Sequence, residues 1–180
     1  YFQAHEESGK RLLFDADVIP STVCDRSRLA TWLSGDDPAF ALAAGLALEQ
    51  IGDATPGVID AAMVATATRD GDLVPVAARV MGLGRPEPVV EKRLRKLVRS
   101  RHHPTMLAAL QSLDRLGFSI TEYLNVFKQL LRGCEVDLIP ILELVEEQGP
   151  AFSSLESPLC EDLEDAIRVE DDQRIEALLQ

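Results

Sequence analysis

The chain has 180 residues, enough for one sizeable domain, with 46% hydrophobic residues but only 5% aromatics. Thirty acids against eighteen lysines and arginines leave a net charge of −12, which disfavours nucleic acid and anionic membrane surfaces, since both are held by clustered cations. The sequence has no apolar run of bilayer-spanning length, and its three scattered cysteines lack a CxxC pair, so they suit reduced thiols of a cytoplasmic protein better than disulfides or zinc ligands.

Tyr1-Phe2-Gln3 matches the tail of a common protease-cleavage tag, and residues 1–20 are read as a tag remnant and an N-terminal capping segment. Within them, Leu12-Leu13-Phe14-Asp15-Ala16-Asp17-Val18-Ile19 resembles the first motif of haloacid-dehalogenase-type phosphotransferases, an apolar strand ending in Asp-x-Asp. In that family the first Asp is the nucleophile and the second the acid/base, which the resemblance would put on Asp15 and Asp17. That fold alternates strands with helices, whereas helix pairs follow here, so the segment is expected to cover the first pair with its apolar side chains. Ser21 reads as the N-cap of a helix running to about Ser34. Gly35-Asp36-Asp37-Pro38 turns the chain, and Pro38 starts the next helix, where a missing N–H costs little. That helix contains Leu42-Ala-Ala-Gly-Leu-Ala-Leu-Glu-Gln-Ile and stops at Gly52. Further helices are expected at Val58–Arg69 and Leu73–Leu83, then at Val89–Arg99 and Thr105–Leu116, then at Thr121–Arg132 and Val136–Gln148. Beyond Gly149-Pro150, Pro158–Ile167 and Asp172–Leu179 would form a degenerate C-terminal cap.

The helices repeat. Gly52, Gly84, Gly117 and Gly149 are spaced by 32, 33 and 32 residues, each after an apolar run, where a left-handed glycine can stop a helix. Before them, Ala44, Val76, Ala109 and Ile141 align, as do Gly45, Ala77, Leu110 and Leu142, and Leu48, Val80, Leu113 and Val145. The preceding helices align through Leu29, Ala62, Leu94 and Phe127, through Trp32, Ala65, Leu97 and Leu130, and through Leu33, Thr66, Val98 and Leu131. Such columns predict one buried face per helix. The stretch "LAAGLALEQIGD" resembles the second helix of the short bacterial HEAT-like (PBS-lyase-like) repeats, over roughly Ser21 to Gln180. The resemblance implies an all-α fold, a right-handed α-solenoid of four to five antiparallel helix pairs. Repeats would cover 21–53, 54–85, 86–117 and 118–149, with the cap at 150–180.

In HEAT-like proteins the second helices line the concave, partner-binding side. Removing the apolar columns leaves Ala43, Ala47 and Gln50 on the first such helix, and Pro75, Arg79 and Gly82 on the second. The third contributes Ala108, Gln111, Ser112 and Arg115, the fourth Pro140, Glu143 and Glu147. Gln50, Arg79, Gln111, Arg115, Glu143 and Glu147 are the candidate partner-binding residues of this face. A second surface is the basic cluster of Lys92, Arg93, Arg95, Lys96 and Arg99, flanked by Arg85 and Arg101; these seven are among the chain's eighteen cations. It lies on a first helix, expected on the convex side. Glu156–Glu176 holds nine acids and two arginines, a solvated cap or interaction tail. No metal-ligand spacing, phosphate loop or nucleophile elbow is present, so neither metal nor cofactor is expected. The expectation is a non-catalytic scaffold or adaptor that binds a protein or peptide, and self-association is compatible with it. Alternatives are a regulatory module of a larger protein, or a HEAT-like enzyme of the glycosylase or lyase type. The glycosylases need a basic, aromatic-lined groove, and the one tryptophan, Trp32, falls in a core column.

Overall fold

Caps and prolines account for where several helices begin in a computed structural model that describes residues 25–52, 54–68, 71–132 and 139–148. Helix α1 spans Arg26–Leu33, α2 Pro38–Ile51, α3 Pro56–Ala65 and α4 Leu73–Met81. Helix α5 spans Pro88–Leu97 and α6 His103–Arg115; a 3-10 turn at Thr121–Tyr123 leads into α7, Leu124–Arg132, and α8 is Ile139–Gln148. Among the described residues the protein is therefore all-helical, without a strand. Asp25, not Ser21, caps α1: its Oδ1 accepts from the Ser27 backbone N–H at 2.9 Å and hydroxyl at 2.6 Å. Those bonds favour the ionised carboxyl, the hydroxyl most, and hold Asp25 below the usual carboxylate range. Asp37 caps α2, accepting from the N–H groups of Ala39 and Phe40. Pro38, Pro56 and Pro88 each open a helix at its first position.

Two of the four periodic glycines act as expected. Gly52 (φ 71°) closes α2 and Gly117 (φ 77°) follows α6, both left-handed. At the second, Phe118 N–H donates to Leu113 O and Gly117 N–H to Asp114 O, which satisfies two terminal carbonyls. Gly84 departs from the expectation. Helix α4 has already ended at Met81, and Gly84 is not left-handed; a Cβ there would lie 2.7 Å from Ile59 Cδ1, so glycine permits close packing on α3 instead. Gly149 lies outside the described residues, as do the 1–20 segment, Ser21, the three cysteines and the acidic end.

Each helix buries the face its columns predict. Leu29, Ala62, Leu94 and Phe127 are buried, as are Ala44, Val76, Ala109 and Ile141, and Leu48, Val80 and Leu113. Trp32 and Val145 are half-buried at the margin. The Trp32 ring packs 6.2 Å from Phe40, with the Arg28 guanidinium 4.8 Å above it. The polar column member Thr66 is buried because both its hydrogen-bonding needs are met. Its hydroxyl donates to Met63 O at 2.8 Å and accepts from Arg93 Nε at 2.8 Å.

Helix contacts follow a regular order. Helix α1 packs on α2, α3 on α4, α5 on α6 and α7 on α8, while α2 packs on α4, α4 on α6 and α6 on α8. Small residues make the second set close: a Cβ on Gly45 would fall 2.6 Å from Val76 Cγ1, and one on Gly82 within 2.9 Å of Ser112 Cβ. The Ser112 hydroxyl bridges the same interface, at 2.8 Å from both Ala78 O and Ala108 O. Helix α4, held between α2 and α6, is buried along most of its length.

Candidate functional site

The exposed edge of the even-numbered helices is narrower than the sequence suggests. Ala43, Ala47, Pro75, Gly82, Ala108 and Ser112 were expected on it but are buried. Stacking α2 on α4 and α4 on α6 consumes the side that the apolar columns leave over. Alanine, glycine and serine let the helix axes approach there. Gln50, Arg115, Glu143 and Glu147 are exposed, while Arg79, Gln111 and Pro140 are half-buried. The remaining strip runs from Leu42, Leu46 and Gln50 on α2, through Arg79 on α4 and Gln111 and Arg115 on α6, to Glu143, Glu146 and Glu147 on α8.

Arg79 is tied down within this strip. Its guanidinium forms a two-armed ion pair with Glu49 of α2, the second arm 3.2 Å long. At 38% and 21% side-chain exposure, solvent screens the pair, which contributes of order 1 kcal/mol or below. Its larger consequence is to fix the guanidinium and cancel its charge, which leaves Arg115 as the strip's free-standing cation among the described residues.

The strip's far end is acidic. Gln148 Nε2 donates to Asp114 Oδ1 at 2.8 Å across α6 and α8. The neighbouring Asp114 carboxylate first, then desolvation, then Glu143 and Glu146, raise the Glu147 pKa above its ordinary 4.5. Its protonated form is thus favoured by folding, and the associated stability is present below the unfolded value and lost as pH rises through the raised one. Glu147→Gln should mimic the protonated group. Its melting temperature is expected to exceed the parent's at pH 7 and to converge with it at pH 4, in parallel melts at constant ionic strength; an equal gap at both pH values would refute the carboxyl pairing. Asp114 and Glu146 were absent from the sequence-based candidates, although they stand at matching distances before Gly117 and Gly149.

The basic cluster divides in two. Arg93 is committed to Thr66. Arg95 bonds Glu91 at 2.8 Å, pairs with Glu122 and reaches the Tyr123 hydroxyl at 3.1 Å, its guanidinium 5.9 Å above that ring. Glu91 first, then Tyr123, raise its pKa. Both arginines pin α5 to its neighbours. Lys92, Lys96 and Arg99 instead point outward as one exposed stripe, with Arg85 and Arg101 exposed at either end. Among the described residues, no His, Cys, Asp and Glu cluster could hold a metal ion, and no helix is long and apolar enough to cross a membrane. Compared with protein-family models, curated proteins and solved structures, the chain matches none.

Proposed function

We propose that the chain is a non-catalytic scaffold, a HEAT-like right-handed α-solenoid with a period near 32–33 residues that works in the cytoplasm. The observation that carries this reading is the order of helix contacts: each even-numbered helix packs on the next even-numbered helix and on its own preceding partner. A stack of that kind leaves one continuous edge, and a continuous edge suits an extended ligand. Gln50, Arg79, Gln111, Arg115, Glu143 and Glu147 bind a protein or peptide along it. Charge gives the ligand a direction, with basic residues over the acidic α8 end and apolar ones over Leu42 and Leu46 of α2.

The test is affinity capture from the native cell extract, with the parent beside two variants, Gln111→Ala/Arg115→Glu and Glu143→Lys/Glu147→Lys. Arg79 is left intact, because reversing it would set two carboxylates face to face at Glu49. Both variants change exposed or half-buried side chains and should melt no lower than the parent. Recovery of the same protein should fall about tenfold or more in each, the loss expected when an interface anchor is removed. A partner retained undiminished by both variants would overturn this assignment of the face.

A further inference from the structure

We propose that the outward stripe of α5 is a docking face for the chain's own acidic segment, Glu156–Glu176. The stripe is formed by Lys92, Lys96 and Arg99, one to two turns apart, and is extended by Arg85 and Arg101. All five are exposed, and among the described residues none takes part in an ion pair. The flanking cations Arg93 and Arg95 have their own partners, which fix the helix and hold the stripe in one orientation. A chain with a net charge of −12 thus concentrates five exposed cations, unpaired among the described residues, on α5 and the turns that flank it.

The segment complements that face. Its nine carboxylates outnumber two arginines, and the densest run is Glu161-Asp162-Leu163-Glu164-Asp165, four acids in five residues. Tethering favours the chain's own segment over a free one, because attachment supplies an effective concentration in the millimolar range. Reach is sufficient. Thirteen residue steps separate Gln148 from Glu161 and can span at most about 45 Å. Helix α5 packs on α6 and α6 on α8, which separates α5 from α8 by about 20 Å or less at ordinary helix spacings. With five cations engaged, the contact competes with any external acidic ligand for the same face.

The chain's composition makes the test direct. It has four lysines: Lys10, Lys92, Lys96 and Lys128. A zero-length carbodiimide reagent joins a lysine amine to a carboxylate only when the two touch. With the full chain at low micromolar concentration, peptide mapping should find Lys92 and Lys96 joined to carboxylates of 156–176 in monomeric product. The yield should fall at least about fivefold in 1 M salt, where the screening length shrinks to roughly 3 Å. The combined variant Glu161→Gln, Asp162→Asn, Glu164→Gln and Asp165→Asn should lose these products, as should Arg85→Glu/Arg99→Glu, which leaves all four lysines in place. The parent's circular-dichroism melt, retained by both variants, separates loss of docking from loss of fold. Links from Lys92 and Lys96 confined to covalent dimers would overturn the proposal in favour of a second copy. Links distributed equally to Lys128, or none to the stripe, would overturn it outright.

Discussion

Leu113→Asp is expected to leave a chain without a cooperative thermal transition above room temperature. Leu113 is fully buried in α6, which touches α4, α5, α7 and α8. Removing the leucine side chain from such a site costs about 3–5 kcal/mol through lost burial and the cavity left behind. The aspartate adds the cost of an unpaired polar group, charged or protonated, with no hydrogen-bond partner provided for it. A small domain has about 5–15 kcal/mol in total, so the substitution removes most of it. Because α6 joins α4 to α5, α7 and α8, its loss detaches the second half of the described structure from the first. Far-UV circular dichroism would show reduced helicity at 25 °C and a broad, non-sigmoidal melt. A parent-like transition would refute the placement of Leu113 in the core.

Gly82→Ala is the second large effect, and its sign is contrary to helix propensity. Gly82 ends α4 at φ −66°, a conformation in which alanine is ordinarily better by up to about 1 kcal/mol. Here the added Cβ would meet Ser112 Oγ at 2.8 Å, Ser112 Cβ at 2.9 Å and Ser112 Cα at 3.0 Å. The last is backbone, which cannot rotate away, so α4 and α6 must separate. Overpacking of this kind costs about 1–3 kcal/mol, a fall of roughly 3–10 °C in melting temperature for a chain of this size. Ser112→Gly removes two of the three clashing atoms. In that background Gly82→Ala should cost at least about 1 kcal/mol less, the signature of direct contact in a double-mutant cycle. Additive effects would show that the two residues do not meet. Ser112→Gly alone also forfeits the hydroxyl bonds to Ala78 O and Ala108 O, so only the coupling term is diagnostic.

Both sites belong to one interface, and they differ in how visible they are in the sequence. Leu113 sits in an apolar column four residues before a periodic glycine, and its burial follows from spacing alone. Gly82 and Ser112 looked like surface, being small or polar and outside the columns. What makes them interior is a neighbouring helix 34 residues away in sequence, through the Ser112 hydroxyl and Ala78 O. Ala43, Ala47, Pro75 and Ala108 are interior for the same reason. Small residues give a weak hydrophobic signal, yet they allow the closest helix approach, so a pattern weighted by hydrophobicity overlooks the tightest contacts.

The charged candidates divide along the same line. Gln50, Arg115, Glu143 and Glu147 are exposed as expected. Arg79 is neutralised by Glu49, 30 residues earlier, and Arg95 by Glu91 and Glu122. The Glu91 pairing is an i,i+4 relation readable from sequence, whereas the other two depend on which helices lie side by side.

Helix positions, the stop at Gly52 and one buried face for each helix are legible in the sequence. These are set by contacts within a turn or two of the chain, where residues three or four apart share a face and a cap lies beside the groups it satisfies. Tertiary structure alone decided which of the remaining faces stays open. Packing α4 between α2 and α6 buried a second side of it, closed most of the expected edge, and left the outward stripe of α5 clear. That outcome depends on the distance between helix axes, which small side chains more than thirty residues apart settle together.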